Sequence, residues 1–331
     1  MTRRSAIAAF LCAAAMSGCG AQELLLGTKG SVLFTAMDAL TTPGEPVELR
    51  AQLRAGDLLR GRPGYAVRFY RGGKLFKVAE TDDDGVAAVA FTPTAPGDFA
   101  FEAALAPLGL AEEPPAPRKL TVACRAPETP IAVVDLDKTV VATGFHTVLV
   151  GSAEPMARSQ EVLRRLSKTH TVVYLTHRPD YFSIKSKAWL AEHGYPPGPL
   201  LLSTLGGFLK GSGAFKSEQL AELQKQFRKI EIGIGDKVSD AEAYHERGLK
   251  SFLILQVPAG AEDTVYDALA DELEALDASV QVVTDWTQVE RGLFGGGAFG
   301  RAAMQKRLRA LAAEARATAD PGAKKPAPKQ P

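Results

Sequence analysis

The sequence predicts an α/β domain built on a parallel sheet and preceded by an all-β sandwich. Short alternating segments broken by Gly, Pro and Asp fill residues 31–125, whereas strands alternate with helices from residue 131 onward. A chain of 331 residues fits two domains of roughly 150 residues each. Hydrophobic residues make up 46% of the chain and the formal net charge is +1, so nothing in the composition favours a nucleic-acid partner.

The N-terminal segment predicts export. Its first residues, MTRRSAIAAFLCAAAMSGCGAQ, combine a basic start, an apolar run and small residues, as a secretory signal peptide does. The stretch MSGC resembles a bacterial lipobox, which implies a signal peptide over residues 1–18 and acylation of Cys19. By resemblance to lipoprotein sorting rules, Gly20 favours an outer-membrane anchor facing the periplasm. The alternative is ordinary cleavage near Ala21, which would remove Cys19.

The remaining cysteine predicts a mature fold without an intrachain disulfide. Residues 19–30 read as a tether, and Cys124 is then the single cysteine in the folded part. It ends the apolar segment KLTVAC, so we expect a small packed residue rather than a reactive thiol. No second stretch is long enough to span a membrane.

The strands of the sandwich are short and closely spaced. The segments are PVELRAQLR, YAVRFYRGG, KLFKVAETDDDG, VAAVAFTPTAPGD, FAFEAAL and RKLTVAC. DDDG and APGD are turns, because Asp side chains cap local backbone and Gly accepts positive φ. The pattern resembles bacterial immunoglobulin-like (Ig-like) modules, which implies a spacer or adhesive unit over residues 31–125. Residues 125–130 read as the linker.

From residue 131 the strands are IAVVDLD, TVVYLT, PLLLS, IEIGIGD and SFLILQV. The helices are ARSQEVLRRLSK, YFSIKSKAWLAEHG, SEQLAELQKQFRK, SDAEAYHERG and EDTVYDALADELEAL. This alternation predicts a parallel sheet over residues 131–295, with ligands bound at the carboxyl ends of its strands. Residues 296–331 read as a helix and then a disordered basic end, which either contacts an anionic membrane surface or is simply solvated.

Two carboxylates follow the first of these strands. Asp135 and Asp137 come directly after IAVV, where burial and mutual repulsion both oppose their ionised forms. A bound cation would offset that cost, so the sequence predicts a metal site. Phosphoryl transfer has the same requirement, because an anionic nucleophile must approach an anionic phosphate.

Four motifs, VVDLDKT, VVYLT, FKSEQL and IGIGDKVSD, resemble in order those of the haloacid dehalogenase (HAD) superfamily. The resemblance implies a Rossmann-like phosphatase domain that uses Mg²⁺ and an aspartyl-phosphate intermediate. Asp135 would be the nucleophile and Asp137 the general acid/base, whose backbone carbonyl would also bind the metal. The other implied roles are phosphate contacts for Thr176 and Lys216, metal binding for Asp236, and direct or indirect metal binding for Asp240.

Some assignments have alternatives. Lys210 lies in a Gly-rich segment and competes with Lys216, which we favour because it is predicted to open a helix. Asp240 has a second candidate role as a helix N-cap, compatible with metal binding. Arg178 is a candidate for substrate binding or for a structural ion pair. Thr139, Lys138 and His146 complete the predicted substrate-binding residues.

The predicted substrate is a phosphorylated lipid. Only 38 residues lie between Asp137 and Thr176, which leaves no room for a large cap domain. The stretches LTHRPDYF, WLAEHGYPPGPLLLS and GIGDKVSDAEAYHERGL resemble the catalytic regions of lipins and actin-patch phosphatidate phosphatases. That resemblance implies Mg²⁺-dependent hydrolysis of phosphatidate at the membrane. Lys138 departs from it, since lipins have Gly there and the actin-patch enzymes have Asp.

Two other functions remain open from the sequence. One is a HAD phosphatase for soluble periplasmic monophosphates. The other is a non-catalytic envelope lipoprotein whose sandwich binds a protein partner that the sequence does not identify. Loss of a motif carboxylate would favour the second, but all four are present at Asp135, Asp137, Asp236 and Asp240.

Overall fold

The computed structural model describes residues 32–56, 59–106, 114–143 and 153–319. The signal peptide, the tether, Cys19, His146 and the basic end beyond residue 319 lie outside the described residues, and those assignments stay predictions. Within the described residues, no helix combines the length and apolar character that crossing a membrane requires.

The N-terminal region is all β. One sheet contains β1, β3, β4 and β7, and the other has the order β2-β9-β8-β5-β6. The strands are β1 Val32–Met37, β2 Ala39–Thr41, β3 Val47–Ala55, β4 Arg60–Gly61, β5 Ala66–Arg71, β6 Lys74–Glu80, β7 Val86–Phe91, β8 Gly97–Leu105 and β9 Arg118–Cys124. Leu49 and Leu53 from the first sheet share a buried cluster with Phe69, Phe101 and Val122 from the second. The two sheets therefore face each other across one core.

The second region is an α/β unit with a six-stranded sheet. Every strand pairs parallel to its neighbours, as predicted. The strands are β10 Ile131–Val134, β11 Thr171–Pro179, β12 Leu200–Ser203, β13 Ile230–Gly235, β14 Lys250–Ile254 and β15 Gln281–Val283. Their order is β12-β11-β10-β13-β14-β15. The chain therefore starts in the middle, builds outward on one side and then on the other. The switch point of this doubly wound sheet lies between β10 and β13.

The helices connect these strands. They are α1 Ser159–Leu166, α2 Ser183–Glu192, α3 Leu205–Lys210, α4 Ser212–Gln224, α5 Val238–Glu246, α6 Asp263–Glu272, α7 Trp286–Phe294 and α8 Arg301–Ala319, with a 3₁₀ turn at Asp180–Phe182. Neither β15 nor α7 was among the predicted elements. The signal for α7 was present in the sequence, because Asp285 caps it by accepting a hydrogen bond from the backbone N of Gln288 at 2.9 Å.

The region around Lys210 and Lys216 corrects two expectations. Lys210 ends α3 instead of lying in a Gly-rich loop, and α4 begins at Ser212, so Lys216 is one turn inside the helix and does not open it. Gly211 separates the two helices with φ 97°, a backbone conformation that strongly favours glycine. Gly211 therefore forms the junction between α3 and α4 and is not part of a loop.

The two regions share packed surfaces. Leu40 and Ala123 of the β-rich region lie in one buried cluster with Ile131, Val133 and Phe215 of the α/β unit. Cys124 is fully buried beside them, in agreement with its predicted packing role. Burial is also the main reason that the pKa of the Cys124 thiol is raised, which keeps it in the unreactive neutral form.

Candidate active site

The predicted site residues lie at the switch point of the sheet. Asp135 directly follows β10, and Asp236 directly follows β13, which is its neighbour in the sheet. The backbone N of Asp135 donates to the carbonyl of Ile234 at 2.9 Å, which locks the two strand ends together. Because parallel strands end on the same edge, the two carboxylates that are far apart in sequence are brought side by side.

Lys216 joins two of the carboxylates. Its Nζ lies 2.9 Å from Oδ2 of Asp135 and 2.5 Å from Oδ2 of Asp240, and its side chain is fully buried. Lys210, the alternative motif lysine, instead pairs with Glu218 at 3.0 Å on the surface. The geometry therefore places Lys216 in the carboxylate cluster and Lys210 outside it.

The charges of this cluster explain the protonation states. Burial alone would raise the pKa of Asp135, but the positive charge of Lys216 and hydrogen bonds from Lys216 and the Leu136 backbone outweigh it and hold that pKa below its ordinary value. Burial likewise opposes the charge on Lys216, but Asp135 and Asp240 raise its pKa well above the ordinary value. Asp135 is thus an ionised carboxylate held next to a permanent cation.

The pKa of Asp236 is shifted in the opposite direction from that of Asp135. Burial, followed by repulsion from Asp135, raises its pKa to about 7. Among the described residues, its Oδ1 atom is buried without any hydrogen-bond partner. An unpaired buried carboxylate oxygen of this kind is a candidate metal ligand, since buried polar atoms are otherwise paired.

The cluster fits a hard divalent cation. One ligand atom from each of Asp135, Asp236 and Asp240 lies within 4.8 Å of the other two. Three carboxylates against the one ammonium of Lys216 leave an excess of negative charge, and carboxylate oxygens are the ligands that Mg²⁺ prefers. Asp240 already accepts from Ser212 Oγ at 2.7 Å and from Lys216, which favours indirect support of the metal over direct binding.

Asp137 is held by an arginine. Nε and Nη2 of Arg178 donate to its two carboxylate oxygens at 2.9 and 2.8 Å, and Nη1 donates to Ser186 Oγ at 2.8 Å. The Arg178 side chain is only 2% exposed, whereas that of Asp137 is 23% exposed. Of the two roles considered for Arg178, the structure therefore has the ion pair, and Asp137 is the more accessible partner of that pair.

Three further predicted site residues are Thr176, Thr139 and Lys138. Thr176 is buried near the end of β11, and its Oγ1 accepts from the backbone N of Arg178 at 3.3 Å. Thr139 is also buried, and within the described residues its Oγ1 has no partner. Lys138 is exposed and adopts a left-handed conformation with φ 52°, while its carbonyl accepts from Gln256 at 3.3 Å. These three residues line the segments that carry Asp137 and Arg178.

Two glycines allow the helix that carries Asp240 to approach the sheet. A Cβ atom at Gly233 would lie 2.3 Å from Cγ of Tyr244, and one at Gly235 would lie 3.2 Å from Cβ of Asp240. The first distance is shorter than real Cβ atoms adopt, and the second is tighter than most real Cβ contacts. The glycines of the IGIGD motif thus let α5 pack onto β13 and present Asp240 to Lys216.

Sequence reasoning missed three residues that support the site. Ser186 and Ser212 bind Arg178 and Asp240, and no sequence pattern marks either of them. Trp286 Nε1 donates to the carbonyl of Thr139 at 2.7 Å and so fixes the segment after Asp137 from α7. A tryptophan directly after a helix N-cap could have indicated the contact of Trp286 from the sequence.

The following solved structures each resemble part of the chain. The CARDB domain of a Pyrococcus furiosus protein is 17% identical over 28% of this chain and 95% of its own, with a TM-score of 0.22. Fibronectin(III)-like modules of Clostridium thermocellum CbhA are 16% identical over 28% and 94%, with a TM-score of 0.21. A chain of an RNA repair complex is 19% identical over 38% and 43%, with a TM-score of 0.34.

Comparison with families of known sequence is more informative for the site. A search of curated proteins finds no match. The family described as PITM 1-3, LNS2 domain, matches residues 132–257, less than half of the chain. The match spans β10 to the end of β14 and includes every predicted catalytic and metal residue, from Asp135 to Asp240. It supports a lipin-like phosphatase domain in this part of the chain.

Proposed function

We propose that this protein is a Mg²⁺-dependent phosphomonoester hydrolase of the HAD type that acts on phosphatidate or a related lipid phosphate. The observation that carries the proposal is the ionised Asp135, buried between Lys216 and the orphaned carboxylate of Asp236 at the switch point of a parallel sheet. The family match over residues 132–257 supports it independently of that geometry.

Asp135 is the nucleophile of the proposed reaction. Its lowered pKa keeps the carboxylate ionised at neutral pH, and the Leu136 backbone N holds Oδ1 at 2.7 Å. A carboxylate oxygen of Asp135 bonds to phosphorus while the bond from phosphorus to the alcohol oxygen of the substrate breaks. An aspartyl-phosphate and a free alcohol are the products of this step.

Asp137 moves the proton in both steps. It first donates a proton to the departing alcohol oxygen and then takes one from the water that attacks the aspartyl-phosphate. This second step releases inorganic phosphate and restores Asp135. The two hydrogen bonds from Arg178 hold the Asp137 carboxylate in one orientation for both transfers.

The charge of the phosphate requires cations around it. Asp135, Asp236 and the backbone carbonyl of Asp137 would hold Mg²⁺, which would reduce the repulsion between nucleophile and phosphate. Lys216 adds a fixed positive charge from the protein, and the buried Thr176 would offer a hydroxyl to the phosphate. Asp240 keeps Lys216 charged and oriented, since it forms the shorter of the two ion pairs.

The lipid substrate is the finer part of the proposal. It is supported by the lipin-like GYPPGPLLL stretch and by the match to the LNS2 family. Acylation at Cys19 would hold the domain at the bacterial envelope, facing the periplasm, where a lipid phosphate would be within reach. In this arrangement the β-rich region would be the Ig-like unit between the anchor and the active site.

The test is phosphate release by the full-length protein in detergent micelles that contain phosphatidate, with Mg²⁺ or with EDTA. We expect Mg²⁺-dependent release that is lost in Asp135→Asn, whose circular dichroism should match that of the parent. Rapid turnover of soluble monophosphates with none of phosphatidate would overturn the lipid substrate. A folded protein that hydrolyses neither would overturn the enzymatic function.

A further inference from the structure

The segment that follows Arg178 is anchored on the β-rich region. It comprises the 3₁₀ turn Asp180–Phe182 and the first turns of α2, which begins at Ser183. Arg178 itself reaches into α2 to contact Ser186, so the end of β11, the turn and α2 behave as one unit. A contact that fixes the position of this unit therefore also fixes the Arg178 guanidinium, which holds Asp137.

Arg54 provides the central contact. It lies on β3, and its Nη2 donates to Oδ2 of Asp180 at 3.0 Å, with both side chains less than 10% exposed. The same guanidinium lies over the ring of Tyr181, 3.9 Å from its centroid. One arginine of the β-rich region thus contacts two consecutive residues of the turn, two and three positions beyond Arg178.

The ion pair between Arg54 and Asp180 carries a desolvation penalty, because both charges are buried away from water. Among the described residues, Nη1 of Arg54 and Oδ1 of Asp180 are buried without hydrogen-bond partners. An incompletely satisfied buried pair contributes little net stability and is often matched or exceeded by apolar residues of similar size. The pair holds Asp180 at a fixed position against β3.

Other contacts restrict the same segment from both sides. Leu33 of β1 shares a small buried cluster with Phe182 of the turn. Lys187 of α2 donates to Oδ1 of Asp38 at 2.7 Å and to the carbonyls of Ala36 and Lys119 at 3.1 and 3.2 Å. Asp38 in turn accepts from the backbone N of Leu200, at the start of β12, at 3.1 Å.

We propose that the β-rich region is a positioning element for the active site, and that Arg54 acts through Asp180 and Arg178 to orient the carboxylate of Asp137. The inference rests on the acid/base role assigned to Asp137 under the proposed function. Arg54 touches no reacting atom. Its effect passes through one short path, from its ion pair with Asp180, across Pro179, to the two hydrogen bonds between Arg178 and Asp137.

The test uses the full-length protein and a charge-balanced variant. Arg54→Met alone leaves Asp180 buried without a partner and risks unfolding the protein, so R54M/D180L removes both charges together. We expect the double variant to stay folded while its kcat on phosphatidate falls by about 10- to 100-fold, with a nearly unchanged KM. Arg50→Met, on the same strand but in an exposed pair with Glu48, is the matched control and should retain the parent kcat.

A second measurement needs no turnover. Hydrogen exchange should accelerate by about 10-fold at the amides of residues 176–187 and 136–139 in R54M/D180L, and stay unchanged in β13 and β14. A folded double variant with parent kcat and parent exchange would overturn the proposal. Faster exchange at both segments in R54M/D180L, together with a parent protein that shows no phosphatase activity, would refute the proposed function while upholding the structural coupling.

Discussion

Arg178 donates hydrogen bonds to both carboxylate oxygens of Asp137, at 2.9 and 2.8 Å, and so fixes the plane of that carboxylate. The neighbouring Asp135 is fixed in a different way, by the ammonium of Lys216 and the backbone N of Leu136. Two carboxylates separated by one residue therefore have different partners and different environments. Such a separation is what a nucleophile and an acid/base in one site require.

Arg178→Lys tests the importance of that orientation. Lysine keeps the positive charge but cannot form two parallel hydrogen bonds, so Asp137 loses its fixed plane. We expect kcat for phosphate release to fall by about 10- to 100-fold while the protein stays folded. Arg165→Lys, which alters an exposed pair with Glu290, serves as the control and should leave kcat unchanged. Equal rates for Arg178→Lys and the parent would contradict the role given to Arg178.

Lys216→Met tests the buried cation. The substitution removes the charge that offsets Asp135 and Asp240, which leaves like charges buried close together. We expect the free energy of unfolding to drop by about 3–5 kcal/mol, measured by urea denaturation in EDTA. Lys210→Met is the matched control, because its pair with Glu218 is exposed, and the urea midpoint should not change. A similar effect of both variants would show that Lys216 is not the stabilising cation of the cluster.

The sequence predicted those parts of the site that depend on local patterns of residues. The strand ends that carry Asp135 and Asp236 follow from apolar runs of β length, and their proximity follows from the rule for parallel sheets. The contacts of Ser186, Ser212 and Arg54 could not be predicted, because they depend on the distance between segments far apart in sequence. The start of α4 was also misplaced, since Gly211 and Gly213 suggested a loop where the chain forms a helix junction.

Asp236→Asn tests the metal site. Asp236 carries a buried oxygen without a partner among the described residues, next to the negative charges of Asp135 and Asp240. Removing its charge relieves repulsion, so we expect a higher thermal midpoint than the parent in EDTA. The same variant should lose the increase in midpoint that Mg²⁺ gives the parent, because it lacks a charged ligand. Equal stabilisation of both proteins by Mg²⁺ would remove Asp236 from the metal site.

Gly233→Ala tests the close packing of α5 on β13. The new methyl group would lie 2.3 Å from Cγ of Tyr244, so the helix that carries Asp240 must shift outward. We expect a loss of about 1–3 kcal/mol in the free energy of unfolding, together with weaker Mg²⁺ binding by calorimetry. Gly300→Ala is the control, because no atom lies within 4 Å of its added methyl group. A stable Gly233→Ala protein with unchanged Mg²⁺ affinity would show that the close approach is not needed.

Lys138→Gly tests the backbone between Asp137 and Thr139. Lys138 has φ 52°, a left-handed conformation that costs a residue with a side chain roughly 1–2 kcal/mol and costs glycine far less. Its side chain is exposed, so little packing is lost, and we expect a gain of about 1 kcal/mol in the free energy of unfolding. Lys225→Gly is the matched control: Lys225 is also exposed but has φ −67°, so the added freedom of glycine should lower the stability there. Urea denaturation of both variants should show the free energy of unfolding rising in Lys138→Gly and falling in the control. A loss of stability in Lys138→Gly would mean that contacts of the lysine side chain outweigh the strain of its backbone.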